Sequence, residues 1–396
     1  MRLDKEIVII DGARTPFGHY GGALKDLSPK DLAVTAAKAA LERSKVDPEL
    51  IDHVIFGNAA DSSADAMYLA RHVGLMVGVP QERPALLLGR ICGSSLEAIV
   101  TGARYIILDE ADFVLAGGTE SMNNYPYVMD GARWGMGFGG GKIEDWLQLN
   151  FLDTYNNLIM GQTAENLIER YKISREEQDE FAYRSHMLAT KARDEGRLAE
   201  EIVPVEIPDK RGQTTLFEHD EHIRPDTTIE ALSKLRPVFK KGGTITPGNA
   251  CPISDGAVAV VVTTMEKAKE HGLEPLGKLV SWGTAGVDPD IMGIGPVPAV
   301  RQALQRAGLS LQDIDLIELN EAFAGQVLSC VKELGIDMDK LNVNGGAIAI
   351  GHPTAATGGR LVLTLLKELR RRGKRLGLAT MCIGGGQGMA GVFEAV

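Results

Sequence analysis

The feature that most constrains the fold is an internal echo. LERSKVDPELIDHVIFGN, starting at Leu41, is matched by LQRAGLSLQDIDLIELNE, starting at Leu304. Each runs from an amphipathic stretch through a turn and an Asp into an apolar segment closed by a polar residue. FVLAGGTES near Phe113 is mirrored in turn by ATMCIGGGQG near Ala379, each an apolar run entering glycines. A chain that writes the helix–turn–strand pattern twice is expected to fold as two similar α/β halves, each covering its own sheet with helices.

Short apolar runs (EIVII, HVIFG, VAVVVTT, LGLATM) alternate with amphipathic stretches such as Asp31 to Arg43 and Pro298 to Ala307, which is an α/β pattern. At 396 residues the chain exceeds what one core serves, and 44% hydrophobic content is ample to fill two. The halves are expected at 1–268 and 269–396. From about 121 to 249 the pattern changes to Gly-, Trp- and charge-rich segments, which reads as a loop-and-helix insertion into the first half. Such insertions commonly build substrate sites. Within it Ser174, followed by Glu176 and Glu177, predicts a capped helix start.

A net charge of -11, with the basic run Arg370 to Arg375 placed at a helix end, argues against nucleic-acid binding. An anionic ligand can still be held by a local basic pocket, because charges farther off than about 8–10 Å are screened. No apolar run approaches the ~20 residues that span a bilayer. Cys92, Cys251, Cys330 and Cys382 show no C-x-x-C spacing, so neither a disulfide scaffold nor a zinc site is expected. With no signal-peptide pattern in MRLDKEIVII, a reducing cytoplasmic setting is expected.

Three segments stand out chemically. Cys92, in RICGSSLEA, precedes a stretch with helical spacing, and a thiol at a helix N-terminus is expected to have a lowered pKa. A lone cysteine is more often a small core hydrophobe, but Gly93, Ser94 and Ser95 leave room for a carbonyl to approach the sulfur. His352 lies in NVNGGAIAIGHPTAATGGR, whose glycines and proline dictate a specific path around one imidazole; a hydrogen-bonded core histidine is the bland alternative. Cys382 ends LGLATM and enters IGGGQG. A phosphate loop fails there because the chain stops at Val396 before a helix, and fails at GFGGGK because Met136 and Ile143 break its pattern. HDEH at His219 to His222 reads as a polar turn rather than a metal pair. Asn320 and Glu321 close an apolar run, where α/β sheets place either ligand contacts or helix caps.

These signatures in this order resemble the thiolase family, the acetyl-CoA acetyltransferases and 3-ketoacyl-CoA thiolases, from EIVIIDGARTPFG to CIGGGQGMAGVFEAV. The resemblance implies duplicated, five-layered αβαβα halves with a loop domain in the first half. It further implies that Cys92 carries the acyl group as a thioester, that His352 accepts its proton, and that Cys382 handles the α-proton of the second substrate in a Claisen condensation or its reverse. Asn320 would hold a water that joins His352 in one oxyanion hole, and the amides of Cys92 and Gly384 would form the other. Arg224 would contact the nucleotide end of CoA, while Met160, Cys251, Met292 and Phe323 would line the pantetheine and acyl tunnel.

CoA is then a substrate or product, with no metal or other cofactor, and a homodimer or homotetramer is expected. Cys251 and Pro252 replace a Ser-Gly common in acetoacetyl-CoA-forming members, Ile159 replaces a histidine, and Ser95 and Ala355 replace glycines; the acyl specificity is left open. Acetyl-CoA acetyltransferase is the first expectation and a broader-chain degradative 3-ketoacyl-CoA thiolase the second. A non-catalytic acyl-CoA-binding subunit is a third alternative. A decarboxylating relative with a Cys-His-His or Cys-His-Asn set is disfavoured by Cys382.

Overall fold

The computed structural model describes residues 5–60, 63–208 and 214–396. The first half contains β1 (Ile7–Arg14), α1 (Pro29–Ser44), β2 (His53–Gly57), β3 (Ala85–Leu88), α2 (Ser94–Ile107) and β4 (Val114–Ser121). After it come α3 (Met160–Tyr171) and α4 (Arg175–Asp194), and then β5 (Ser254–Thr264) returns to the sheet. The second half repeats the order with β6 (Gly277–Gly286), α5 (Pro296–Ala307), β7 (Leu316–Leu319), α6 (Ala324–Leu334), α7 (Thr357–Arg371), β8 (Leu376–Ile383) and β9 (Gln387–Ala395).

The strands lie in the order β7-β8-β9-β6-β1-β5-β4-β2-β3. The halves join edge to edge where Val8 and Ile9 of β1 pair with Lys278 and Gly277 of β6. Side chains alternate along each strand, so each half-sheet has two apolar faces. Ile7 and Ile9 of β1, with Val258 and Val260 of β5, face a central core shared with Leu96, Leu361 and Leu365 of α2 and α7. Val8 and Ile10 point the other way, onto α1. Leu378 and Val392 of the second half-sheet likewise face α5 and α6. The layers are therefore helix, sheet, a central helix pair, sheet, helix.

The echo in the sequence is an echo in the backbone. Ser28 caps α1 reciprocally with Asp31, Pro29 occupies the first turn, and the helix closes at Lys45 in the left-handed region. The counterpart α5 starts at Pro296 and ends on Gly308, again left-handed. In each half a single 3₁₀ turn then leads into the strand, Pro48–Leu50 before β2 and Leu311–Asp313 before β7. The repeat is unequal at the far edge, where the second-half equivalent of β3 shrinks to one parallel bridge, Ile317 to Leu341.

The two glycine clusters do not superimpose as the sequence echo implies. Gly118 pairs with Gly57, the last residue of β2, while Thr380 pairs with Leu319, the last residue of β7. Gly117 and Gly118 thus lie inside β4, whereas Gly384 to Gly386 lie past the end of β8. Met381 and Ile383 face the central core as Val114 and Ala116 do, so by register the counterpart of Cys382 is Thr119, and Glu120 lies on the opposite face of its strand.

Between β4 and β5 the chain leaves the sheet. The capped start at Ser174 is present as a capping box with Glu177. Gln178 and Asp179 of α4 are buried, and Asp179 accepts a hydrogen bond of 2.9 Å from Asn249, so this segment is pinned to the loop that leads into β5.

Candidate active site

One cavity of about 670 Å³ brings Cys92, His352, Cys382 and Gly384 together. Its walls are largely apolar and include Met160, Cys251, Met292 and Phe323. Phe323 meets Phe239 edge-on with ring centres 5.9 Å apart, which stiffens that wall. Residues from both halves and from the excursion between β4 and β5 are needed to close it.

Cys92 sits in a 3₁₀ turn, Ile91–Gly93, immediately before α2. Ile91 is held at φ 46, a costly conformation for a β-branched residue, and this turns the chain so that the next side chain enters the cavity. Gly93 gives room for the Ile383 side chain, whose Cδ1 would lie 2.7 Å from a Cβ there and would have to shift. The amides of Gly384 and of Cys92 itself donate toward the Cys92 sulfur, and any side chain on Gly384 would press on the Met160 sulfur at 3.2 Å. The expected lowering of the Cys92 pKa is not what the structure gives. Burial in the cavity wall pushes the thiol up to about 12 and outweighs those two amides, so the group rests as a neutral thiol.

His352 is buried, and burial, seconded by the positive charge of Arg360, lowers its pKa to about 3. A neutral imidazole is thus available as a base. Its tautomer follows from the neighbours. The Thr357 hydroxyl, with one proton, donates to Pro353 O at 3.0 Å and lies 2.6 Å from Nδ1, so Nδ1 carries the hydrogen and donates to it. The Nε2 lone pair is left facing the cavity, 3.4 Å from Asn320 Nδ2. The backbone amide of His352 is fixed by Ser254 Oγ at 3.0 Å, and Ser254 in turn donates to Pro252 O at 2.9 Å.

Cys382, at the end of β8, is 1% exposed, and burial holds its thiol far above the ordinary value, as it does for Cys251. Cys251 is tied down by its amide to Ala322 O at 3.0 Å, beside the bridge between Ala250 and Phe323. Asn320 is fully buried behind His352, and among the described residues its Oδ1 has no partner. Arg224 does not line the cavity: it is exposed, with its amide donating to His186 Nδ1 at 3.3 Å. Cys330 is a core thiol that donates to Gly293 O at 3.3 Å.

The other polar motifs are structural. Asp220 of HDEH accepts from both terminal nitrogens of Arg14, at 2.7 and 2.9 Å, and Glu221 accepts from the amide of His19 at 2.9 Å. Glu321 accepts from Ser185 at 2.6 Å and Asn342 at 2.8 Å and caps the turn at Ile348. Thr357 and Ser254 were not among the residues singled out from the sequence. Nothing local distinguishes them, since each acts on a residue only the fold brings near.

Residues 7–266 match the model of the thiolase N-terminal domain and residues 273–395 that of the thiolase C-terminal domain. The chain is 49% identical to the mitochondrial 3-ketoacyl-CoA thiolase of Homo sapiens, over 100% of both chains, and 45% identical to an acetyl-CoA acetyltransferase of Syntrophomonas wolfei, again over 100% of both. The crystal structure of the human mitochondrial enzyme in complex with CoA superimposes with a TM-score of 0.97 at 48% identity, covering 100% of this chain and 99% of that one. The cytoplasmic expectation is corrected by the same comparison, because the human relative and other mammalian ones at similar identity are named mitochondrial. The duplicated five-layered fold, the convergent thiols and imidazole, and these matches over the whole chain set aside the non-catalytic reading: the chain belongs to the thiolase family and is an acyltransferase of the kind that works on CoA thioesters.

Proposed function

We propose that this thiolase cleaves 3-ketoacyl-CoA with free CoA through an acyl group carried on Cys92, and that its acyl pocket accepts chains longer than acetoacetyl. The observation that carries the reading is the convergence of Cys92, His352 and Cys382 on one cavity with apolar walls. The 3-ketoacyl-CoA relatives support it, and their mitochondrial names support a mitochondrial rather than a cytoplasmic setting.

In this reading the Cys92 thiol attacks the 3-keto carbon as its proton passes to His352 Nε2; a thiol and a neutral imidazole exchange the proton only as the C–S bond forms. The amides of Cys92 and Gly384 stabilise the oxyanion, worth roughly 3–4 kcal/mol per donor. Breaking the C2–C3 bond leaves an acyl group on Cys92 and the enolate of acetyl-CoA. The Nε2–H just gained, together with a water held by Asn320, donates to the enolate oxygen. The Cys382 thiol gives its proton to C2, and acetyl-CoA departs. Free CoA then attacks the acyl-Cys92, its proton going to the Cys382 thiolate, and His352 returns its proton to the Cys92 sulfur. Protons balance over the cycle, and the reverse sequence is the condensation of two acetyl-CoA molecules. High resting pKa values at both thiols suit this role, since each is a thiol until the step that uses it.

Met160, Cys251, Met292 and Phe323 are assigned to the tunnel for pantetheine and acyl chain, and Arg224 to the nucleotide end of CoA, where its exposure at the surface is compatible with a ligand entering from solvent. The division at 1–268 and 269–396, with a loop domain at about 121–249, is proposed on the pseudo-repeat of β1 to β5 by β6 to β9. A homodimer or homotetramer is proposed from the apolar residues left on the surface of that loop domain, among them Trp134 at 87% and Ile143 at 62% exposed.

The test has two parts. Incubation with acetyl-CoA followed by acid quench and mass spectrometry is expected to find an acetyl group on Cys92, and its absence while CoA still binds would sink the acyl-enzyme reading. Rates for thiolysis are then compared across chain lengths: each added methylene that enters the apolar wall should raise kcat/KM by up to the equivalent of about 0.8 kcal/mol. A maximum at acetoacetyl-CoA would instead favour the acetyl-CoA acetyltransferase reading, which the Syntrophomonas wolfei relative supports.

A further inference from the structure

We propose that Glu120 is a positioning residue for acyl transfer, the tie that sets the loop carrying His352 against the helix start carrying Cys92. The inference rests on the reading of Cys92 as acyl carrier and His352 as its base. Glu120 is fully buried at the end of β4, and among the described residues no cation pairs with it. Its Oε1 accepts from Asn58 Nδ2 at 3.1 Å, and its Oε2 from the Ala59 amide at 3.1 Å and Thr354 Oγ1 at 2.9 Å. The Tyr125 hydroxyl and the Ala355 amide complete the set.

Every partner is a donor, and they come from separate elements. Asn58 and Ala59 follow β2, Tyr125 lines the cavity, and Thr354 and Ala355 belong to the loop that begins at His352. That loop is joined onward to the nucleophile's helix, because Ala355 O accepts from the Ser95 amide at 3.1 Å and Gly359 N donates to Ser95 Oγ at 2.7 Å. Close approach is also enforced sterically: a Cβ on Gly118, two residues before Glu120, would lie 2.1 Å from Ala355 O. A continuous path therefore runs from Glu120 through Thr354 and Ala355 to Ser95, three residues past Cys92, with His352 at its branch.

Glu120 lies on the face of β4 that Val114 and Ala116 turn to the central core, while Thr119 on the other face donates to Pro29 O of α1. Burial pushes the Glu120 carboxyl up to about 7 while its donors pull it back, and it opposes ionisation of Cys92. The carboxyl thus also favours a neutral resting thiol.

The experiment compares single-turnover acetylation of Cys92 by acetyl-CoA with CoA affinity by calorimetry in the parent, Glu120→Gln and Thr354→Val. Glu120→Gln conserves shape but turns an NH2 toward a ring of donors, so acetylation is expected to slow about 100-fold with CoA affinity held within about twofold, the signature of misplacement rather than lost binding. Thr354→Val removes one donor of the set and should slow acetylation about tenfold. It also decides the matter if Glu120→Gln does not fold. A folded Glu120→Gln, or Thr354→Val, that acetylates at the parent rate overturns the proposal, as does a fall in CoA affinity that matches the fall in rate. Failure of the parent itself to acetylate would instead remove the reading of Cys92.

Discussion

The start of α2 and the start of α7 are the same place in the two halves, and they have been given different chemistry. In each a residue of positive φ precedes the candidate reactive one, but not at the same point: Ile91 at φ 46 stands three residues before α2, and Gly351 at φ 117 stands six before α7. Glycine is the natural choice at the second, where a Cβ would also strike His222 at 2.8 Å and Ser254 at 2.9 Å. At the first a β-branched side chain is forced into that conformation, which costs of order 1–3 kcal/mol. The difference teaches that the helix start is the shared device, while the turn ahead of it and the side chain that turn presents have diverged. A thiol came to stand on one helix start and a base on the other, and the packing of α2 against α7 through the Ala355–Ser95 and Ser95–Gly359 hydrogen bonds brings them to one cavity.

The comparison sharpens most between the start of α2 and the end of β8, Cys92 against Cys382. Cys382→Ser is expected to leave acetylation of Cys92 within a few-fold while condensation of the acetyl-enzyme with acetyl-CoA falls by about 10³, the range for loss of a general acid–base group. Stopped half-reactions measured separately would show it, and equal loss in both would break the division of labour between the halves. Next in size is the lock on the base: Thr357→Val removes the acceptor for Nδ1–H, leaves that buried group unsatisfied, and frees the imidazole to take the other tautomer. A slowing of acetylation by about tenfold is expected, on the scale of one lost buried hydrogen bond, with thermal stability lowered by about 1–2 kcal/mol. An unchanged acetylation rate would mean that the tautomer is set elsewhere.

The smallest effect expected is the absence of one. With its folded pKa lowered to about 3 against an unfolded value near 6.5, His352 should stay neutral from pH 8 down to pH 5, and its ring resonances should not move in an NMR titration over that range. The linkage has a definite sign. Because the folded state disfavours the proton, the stability this group contributes is fully present above the unfolded pKa near 6.5 and is lost as pH falls toward the folded value of about 3. A titration centred near 6.5 in the folded protein would show that the imidazole is solvated, and with it that the two helix starts are not buried against each other as described.

Much of this was legible in the chain. The echo from Leu41 and Leu304 foretold two halves because helix caps, turn residues and apolar runs are local, and local preferences survive folding. Cys92, His352, Cys382 and Gly384 were marked by small neighbours, which are visible wherever a backbone must approach a ligand. The register of the glycine clusters was not legible, since strands align by pairing rather than by composition, and the sequence echo set glycines against each other where the sheets set Gly117 and Gly118 against Thr380 and Met381. Arg224 reads as a ligand contact from its motif, while its place outside the cavity depends on the path of a long excursion. The ionisation of Cys92 was read with the wrong sign because a helix start is local and burial is not.

Fold class, the repeat and the candidate site residues that the fold gathers in one cavity were thus legible in the sequence alone, through periodicity and through residue types with few other uses. The tertiary structure decided the protonation of Cys92 and His352, the tautomer imposed by Thr357 and the tie made by Glu120. Those depend on desolvation and on hydrogen bonds between residues far apart in the chain, such as Thr354 and Glu120, and neither quantity exists until the halves have closed on each other.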